Sequence, residues 1–99
     1  MSKKIKEKFL RSEVWDATCF QVAGLLKNVL FYRTDGIVRE SIYCFIFEED
    51  DEKEVKNFEI RKLVQGSEIP KGYLYLQSFK TDYKRPYHLY YKSWVIKDG

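Results

Sequence analysis

Apolar and polar positions alternate through most of this 99-residue chain, and the alternation predicts strands. The sharpest local signal is Asp35-Gly36, a dipeptide that supplies the positive φ values of a tight hairpin turn. Its flanks suit strands: Asn28 to Arg33 before it, Ile37 to Phe47 after it. Ser41 to Phe47 is apolar on both alternating rows, which predicts a central strand covered on both faces. The run Glu48 to Glu54 then reads as a solvated turn, because adjacent acids repel and do not pack. A third strand is expected over Val55 to Val64, where Phe58 and Ile60 alternate with Asn57, Glu59 and Arg61. Gly66 and Pro70-Lys71-Gly72 mark irregular steps. Tyr73 to Phe79 and Tyr87 to Ile96 complete a set of about five strands. Short connections make them antiparallel.

The fold class expected is therefore mainly β: a single small antiparallel sheet, or a partly open barrel, of about five strands. Residues 28–96 form its core. The first 27 residues read two ways. Ile5 and Phe9 are four apart, as on a helix, and Asp16 can cap a helix over Ala17 to Lys27. Thr18, Phe20 and Val22 instead favour a strand. A short N-terminal helix is carried as one expectation.

Length and composition narrow the function. Ninety-nine residues make one domain, which buries roughly two-thirds of its unfolded surface. Cys19 and Cys44 sit in apolar stretches and read as reduced core residues, although a bridge between them is compatible with the sequence. With one histidine and two cysteines the chain lacks the ligands of a structural zinc site, so no metal or cofactor is expected. The longest uncharged run, Ala17 to Leu26, is too short to span a bilayer, which points to a cytoplasmic protein without a membrane partner. The net charge of +3 divides into +3 over residues 1–40, −5 over 41–60 and +5 over 61–99.

Aromatic residues make up 17% of the chain, and eight of them are tyrosines. Tyr43, Phe45 and Phe47 share one row; Tyr73, Tyr75 and Phe79 share another. On the last strand Tyr87 and Tyr91 lie opposite His88, Tyr90 and Trp94. Such rows fill a small β core, or they anchor an interface or stack on bases. Tyr73, Tyr75, Tyr87 and Tyr90 are the candidate binding residues. Lys80, Lys84, Arg85 and His88 form a basic, aromatic loop beside them that suits a nucleic acid or nucleotide. The acidic turn, Glu48, Glu49, Asp50 and Asp51, lacks calcium-loop spacing and offers a surface for charge steering. No nucleophile elbow, zinc-protease helix or phosphate loop occurs, so no catalytic residue is assigned and no enzyme activity is expected.

Residues 28–91 resemble short uncharacterised β-domain proteins encoded by bacteriophages. The resemblance lies in the order Leu30, Asp35-Gly36, Tyr43 to Phe47 with its acidic turn, Phe58-Glu59-Ile60, Gly66, Ile69-Pro70, Tyr75 to Phe79 and Pro86 to Tyr90. The basic N-terminal part departs from that pattern. The resemblance implies a compact β domain of phage-like origin and no activity. Three functions follow as expectations. The first is an accessory protein that inhibits a host or defence protein through a tyrosine-rich face, in the manner of a counter-defence protein. The second is a nucleic-acid or small-nucleotide binder. The third is a homo-oligomeric structural protein, with a homodimer as its simplest form.

Overall fold

The computed structural model describes residues 3–11, 15–35, 39–80 and 86–96, with residues 33–35 and 39–40 as backbone only. Among the described residues there is no helix. Seven strands follow one another: β1 (Lys3–Arg11), β2 (Ala17–Val22), β3 (Gly24–Asp35), β4 (Arg39–Asp50), β5 (Lys56–Val64), β6 (Leu74–Phe79) and β7 (Tyr87–Val95). They form two open sheets, ordered β1-β4-β3 and β2-β5-β7-β6. Every pairing is antiparallel.

The all-β, antiparallel expectation holds. The single sheet of about five strands gives way to two sheets of three and four, because the first 27 residues contribute strands instead of a helix. All nine residues of β1 pair with β4, from Lys3 opposite Asp50 to Arg11 opposite Ile42. A ladder of that length outweighs the four-residue spacing of Ile5 and Phe9. In β2 the alternation of Thr18, Phe20 and Val22 prevails over the Asp16 cap, and each lies opposite an inward residue of β5. The hairpin at Asp35 forms, but its last registered pair is Asp35 with Arg39. Three residues therefore link the strands where a two-residue turn was expected, and that link lies outside the described residues.

The sheets face each other across an aromatic core. Tyr43, Phe45 and Phe47 alternate along β4, point between the sheets and are buried. Phe20 packs on Phe45 and Phe47 from β2, and Phe58 packs on Phe47 from β5. Phe79 closes the far side, edge-on to Tyr43 and tilted against Phe31. Val22, Val29, Ile60 and Leu89 fill the spaces between these rings. Burying a large aromatic side chain removes about 150–250 Å² from water, so these rings supply most of the drive for the two sheets to pack.

Two local devices set how the sheets meet. The chain crosses from one sheet to the other at Ala23–Gly24, where the Asp50 N–H donates to the Ala23 carbonyl at 2.7 Å. A Cβ on Gly24 would collide with the Glu48 backbone, so this corner requires glycine. On the opposite side a bulge between Tyr75 and Gln77 interrupts β6. Gln77 turns inward there and reaches β3. Its Oε1 accepts from the Val29 N–H at 2.9 Å, and its Nε2 donates to the Val29 carbonyl. One side chain thus occupies both backbone groups of an edge strand and ties the sheets together.

The predicted acidic turn begins later than expected. Strand β4 continues through Glu48, Glu49 and Asp50, and the turn starts at Asp51. Lysines neutralise the acids at this end of the strand. Lys3 and Lys27 approach Glu48 at 3.8 Å each, and Lys6 lies 3.0 Å from Glu49. The predicted basic start is therefore an edge strand, with Lys3 and Lys6 resting on acids of β4.

Candidate binding surface

On β5, residues 57, 59, 61 and 63 face away from the core, as do residues 88, 90, 92 and 94 of β7. Strand β6 adds Tyr75 opposite Tyr90 and Ser78 opposite His88. The outer face of the four-stranded sheet thereby gathers the aromatic and basic residues of the second half of the chain. Tyr75 is 56% exposed and meets Tyr90 edge to face, with ring centroids 5.5 Å apart. The Arg61 guanidinium sits 5.0 Å from the centre of the Tyr73 ring, and its Nε–H donates to Glu59 Oε2 at 3.0 Å. The Lys92 ammonium lies 5.5 Å from both the Tyr73 and Trp94 rings. Cations placed over ring faces hold those rings in fixed orientations without burying them.

A hydroxyl relay runs beside this array. The Tyr75 hydroxyl and Ser78 Oγ are 2.6 Å apart, and Ser78 Oγ lies 2.6 Å from His88 Nδ1. Next to His88 is a cavity of about 250 Å³, lined by Leu63, Val64, Gly66, Ile69, His88 and Tyr90 among others. Its lining mixes the apolar Leu63, Val64 and Ile69 with the polar Gln65, Ser67, His88 and Tyr90. Activating a serine also requires a group that orients the imidazole and donors for an oxyanion. Among the described residues the relay consists of Tyr75, Ser78 and His88 alone, an arrangement suited to fixing Tyr75 and His88 in place.

The structure separates the predicted site residues. Tyr73, Tyr75, Tyr90 and His88 share the outer face. Tyr87 points inward, where its ring lies 4.7 Å from the Lys62 ammonium; the Trp15 ring caps the same ammonium at 5.0 Å. Lys80 is exposed just past β6. Lys84 and Arg85 lie outside the described residues. Glu48, Glu49 and Asp50 belong to β4, and Asp51 opens the turn. Arg61, Lys92 and Trp94 join the surface without having been singled out. Strand parity carried the signal, since Trp94 shares the row of Tyr90, but joining Arg61 to that row required the β5–β7 register.

The reading of two reduced core cysteines holds for Cys44 and is corrected for Cys19. Both are free, Cys44 is buried and Cys19 is exposed. They face outward from opposite sheets. Burial, and then the nearby Glu7 carboxylate, push the Cys44 thiol above its ordinary pKa. Among the described residues, no group of three or more His, Cys, Asp or Glu side chains is placed to hold a metal ion.

No family model, curated protein or solved structure matches this chain.

Proposed function

We propose that this chain is a small non-enzymatic binding protein that captures a protein partner on the outer face of its four-stranded sheet. One observation carries the reading: Tyr73, Tyr75, Tyr90 and Trp94 lie on the face that takes no part in the core, while the opposite face of the same strands fills it. Tyrosine, tryptophan and arginine are the residues that most often dominate binding energy at protein interfaces. The cavity beside His88, about 250 Å³, has room for a side chain of the partner and offers it both apolar and polar lining residues. Arg61 and Lys92 against Glu59 leave the array only weakly positive. That balance suits a mixed protein surface better than a phosphate backbone, which calls for a larger excess of cations. The proposal extends to an accessory protein of phage-like origin that occludes a host or defence protein.

Affinity capture from a bacterial lysate, run in parallel with wild type, Tyr75→Ala and Trp94→Ala, tests it. A stoichiometric protein retained by wild type and lost by both variants supports the proposal. Capture of nothing, or of the same proteins by all three, refutes it.

A further inference from the structure

The hydrogen bonds of Gln77 fix the direction of every backbone group in the three-stranded sheet. They show that the Val29 N–H and C=O point away from β4. In an antiparallel ladder both groups of a residue point to the same side, and the side alternates along the strand. Val29 lies opposite Phe45, so the Phe45 N–H and C=O point away from β3 and toward β1. The Asp50 N–H, an odd number of positions along, points the other way, to Ala23, as the alternation requires. Phe45 lies opposite Lys8, and the β1–β4 register is unbroken. Lys4, Lys6, Lys8 and Leu10 therefore direct their backbone groups to β4. Lys3, Ile5, Glu7, Phe9 and Arg11 direct theirs off the open edge of the sheet.

Strand β1 ends the order β1-β4-β3, and its edge runs nine residues without proline, glycine or bulge. Two of the edge-directed residues, Ile5 and Phe9, are 78% and 58% exposed. Edge lysines ordinarily discourage a further strand. Here they sort which strand can pair. Strand β1 carries Lys3, Lys4, Lys6, Lys8 and Arg11 against Glu7 alone. Strand β4 answers that charge at one end, where Glu48 and Glu49 take Lys3 and Lys6. Lys8 and Arg11 lie opposite the uncharged Phe45 and Ile42. Acids on an added strand would meet them as opposite-charge cross-strand pairs. A second copy fits less well. Pairing the full length of β1 with itself about Glu7 sets Lys6 against Lys8, Lys3 against Arg11 and Glu7 against Glu7. Pairing about Phe9 keeps only residues 7–11 in the ladder.

We propose that the open edge of β1 takes up an acid-rich extended segment of a partner protein as a further strand of this sheet. Main-chain hydrogen bonds to Ile5, Glu7 and Phe9 supply the attachment. Apolar residues of the segment lie beside Ile5 and Phe9, and its acids lie beside Lys8 and Arg11. This edge belongs to the other sheet from Tyr75 and Trp94, and the inference does not depend on the partner proposed there.

Amide exchange of the full chain, followed by NMR, reads this directly. The probe is a peptide of the same length as β1 that alternates valine and glutamate; its control carries lysine for glutamate. In the free protein Lys6, Lys8 and Leu10 should exchange slowly, and Ile5, Glu7 and Phe9 fast. The glutamate peptide at about 1 mM should slow the fast set by about tenfold or more, and the lysine peptide should leave it unchanged. Glu7→Pro removes an N–H that the β4 ladder does not use, so the effect at Ile5 and Phe9 should vanish while the sheet keeps its own bonds. Should proline unfold the strand, Lys8→Glu combined with Arg11→Glu gives the same test, because it should invert the preference from the glutamate to the lysine peptide. Unchanged exchange of Ile5, Glu7 and Phe9 with the glutamate peptide overturns the proposal. So do equal protection by both peptides, and protection that rises with protein concentration alone, which assigns the edge to a second copy. Glu7→Pro should still retain the partner of the aromatic face, so either proposal can fail without the other.

Discussion

Gln77 offers the most direct test of how the two sheets are joined. Val29 is fully buried, and its N–H and C=O both engage Gln77. The N–H has a second acceptor, Asn28 Oδ1 at 2.9 Å. Replacing Gln77 by Leu keeps the volume and removes both hydrogen bonds. The N–H retains Asn28, but the carbonyl is left without Gln77, and an unsatisfied buried acceptor costs about 1–3 kcal/mol. Gln77→Glu keeps an acceptor for the N–H and sets a carboxylate against the carbonyl oxygen, so it should destabilise at least as much at neutral pH. Protonating that carboxyl supplies the missing donor, which raises the pKa in the folded state. The folded state then binds more protons, so the variant gains stability as pH falls through the carboxyl range. Urea unfolding followed by tryptophan fluorescence measures both effects. At typical slopes of about 1–3 kcal/mol per molar urea, the midpoint of Gln77→Leu should fall by roughly 1 M with its slope unchanged. A Gln77→Leu midpoint equal to wild type, together with a Gln77→Glu variant whose stability loss is the same at pH 4 and pH 7, would refute the reasoning.

Gly24→Ala should lower stability by more than the gain from reduced chain entropy, about 0.4–1 kcal/mol, because the added methyl meets the Glu48 backbone; a thermal melt at or above wild type would contradict this. Phe45→Ala should cost about 3–5 kcal/mol in the same urea assay, since its ring is fully buried against Phe20 and Trp15. In the native protein a thiol reagent should modify Cys19 promptly and Cys44 only on unfolding. Because the Cys44 pKa is raised by burial and Glu7, the unfolded state loses that proton first, so this group should reduce stability as pH climbs above the ordinary thiol value.

Much of the fold was legible because period-2 patterning is a local property. Strands β4 to β7 fall close to where alternation places them, and the inward row Tyr43, Phe45, Phe47 follows from it. What was not legible depended on distant partners. Strand β1 carries lysines on both faces and becomes a strand through its pairing with β4. Tyr73, Tyr75 and Phe79 share a row by simple alternation, yet the bulge between Tyr75 and Gln77 turns Tyr75 outward and Phe79 into the core. Tyr87 was grouped with Tyr90 as a binding residue although alternation sets the two on opposite faces, and it lies inward over Lys62. The candidate surface was thus half visible: its tyrosines were in the sequence, and its cations needed the β5–β7 ladder. The same ladder shows why Glu48 and Glu49 are strand residues, since their lysine partners come from β1 and β3.

The central claim is that the outer aromatic face binds a partner and does not hold the fold together. It is tested most directly by measuring stability and capture on one variant, Tyr75→Ala with Trp94→Ala. Because both side chains stand outside the core, urea unfolding should show the double variant losing only its outer-face contacts, about 0.5–1 kcal/mol at each position, against about 3–5 kcal/mol for a core ring. The captured protein should be lost at the same time. A variant that unfolds early, or one that still retains the wild-type partner, would contradict the account.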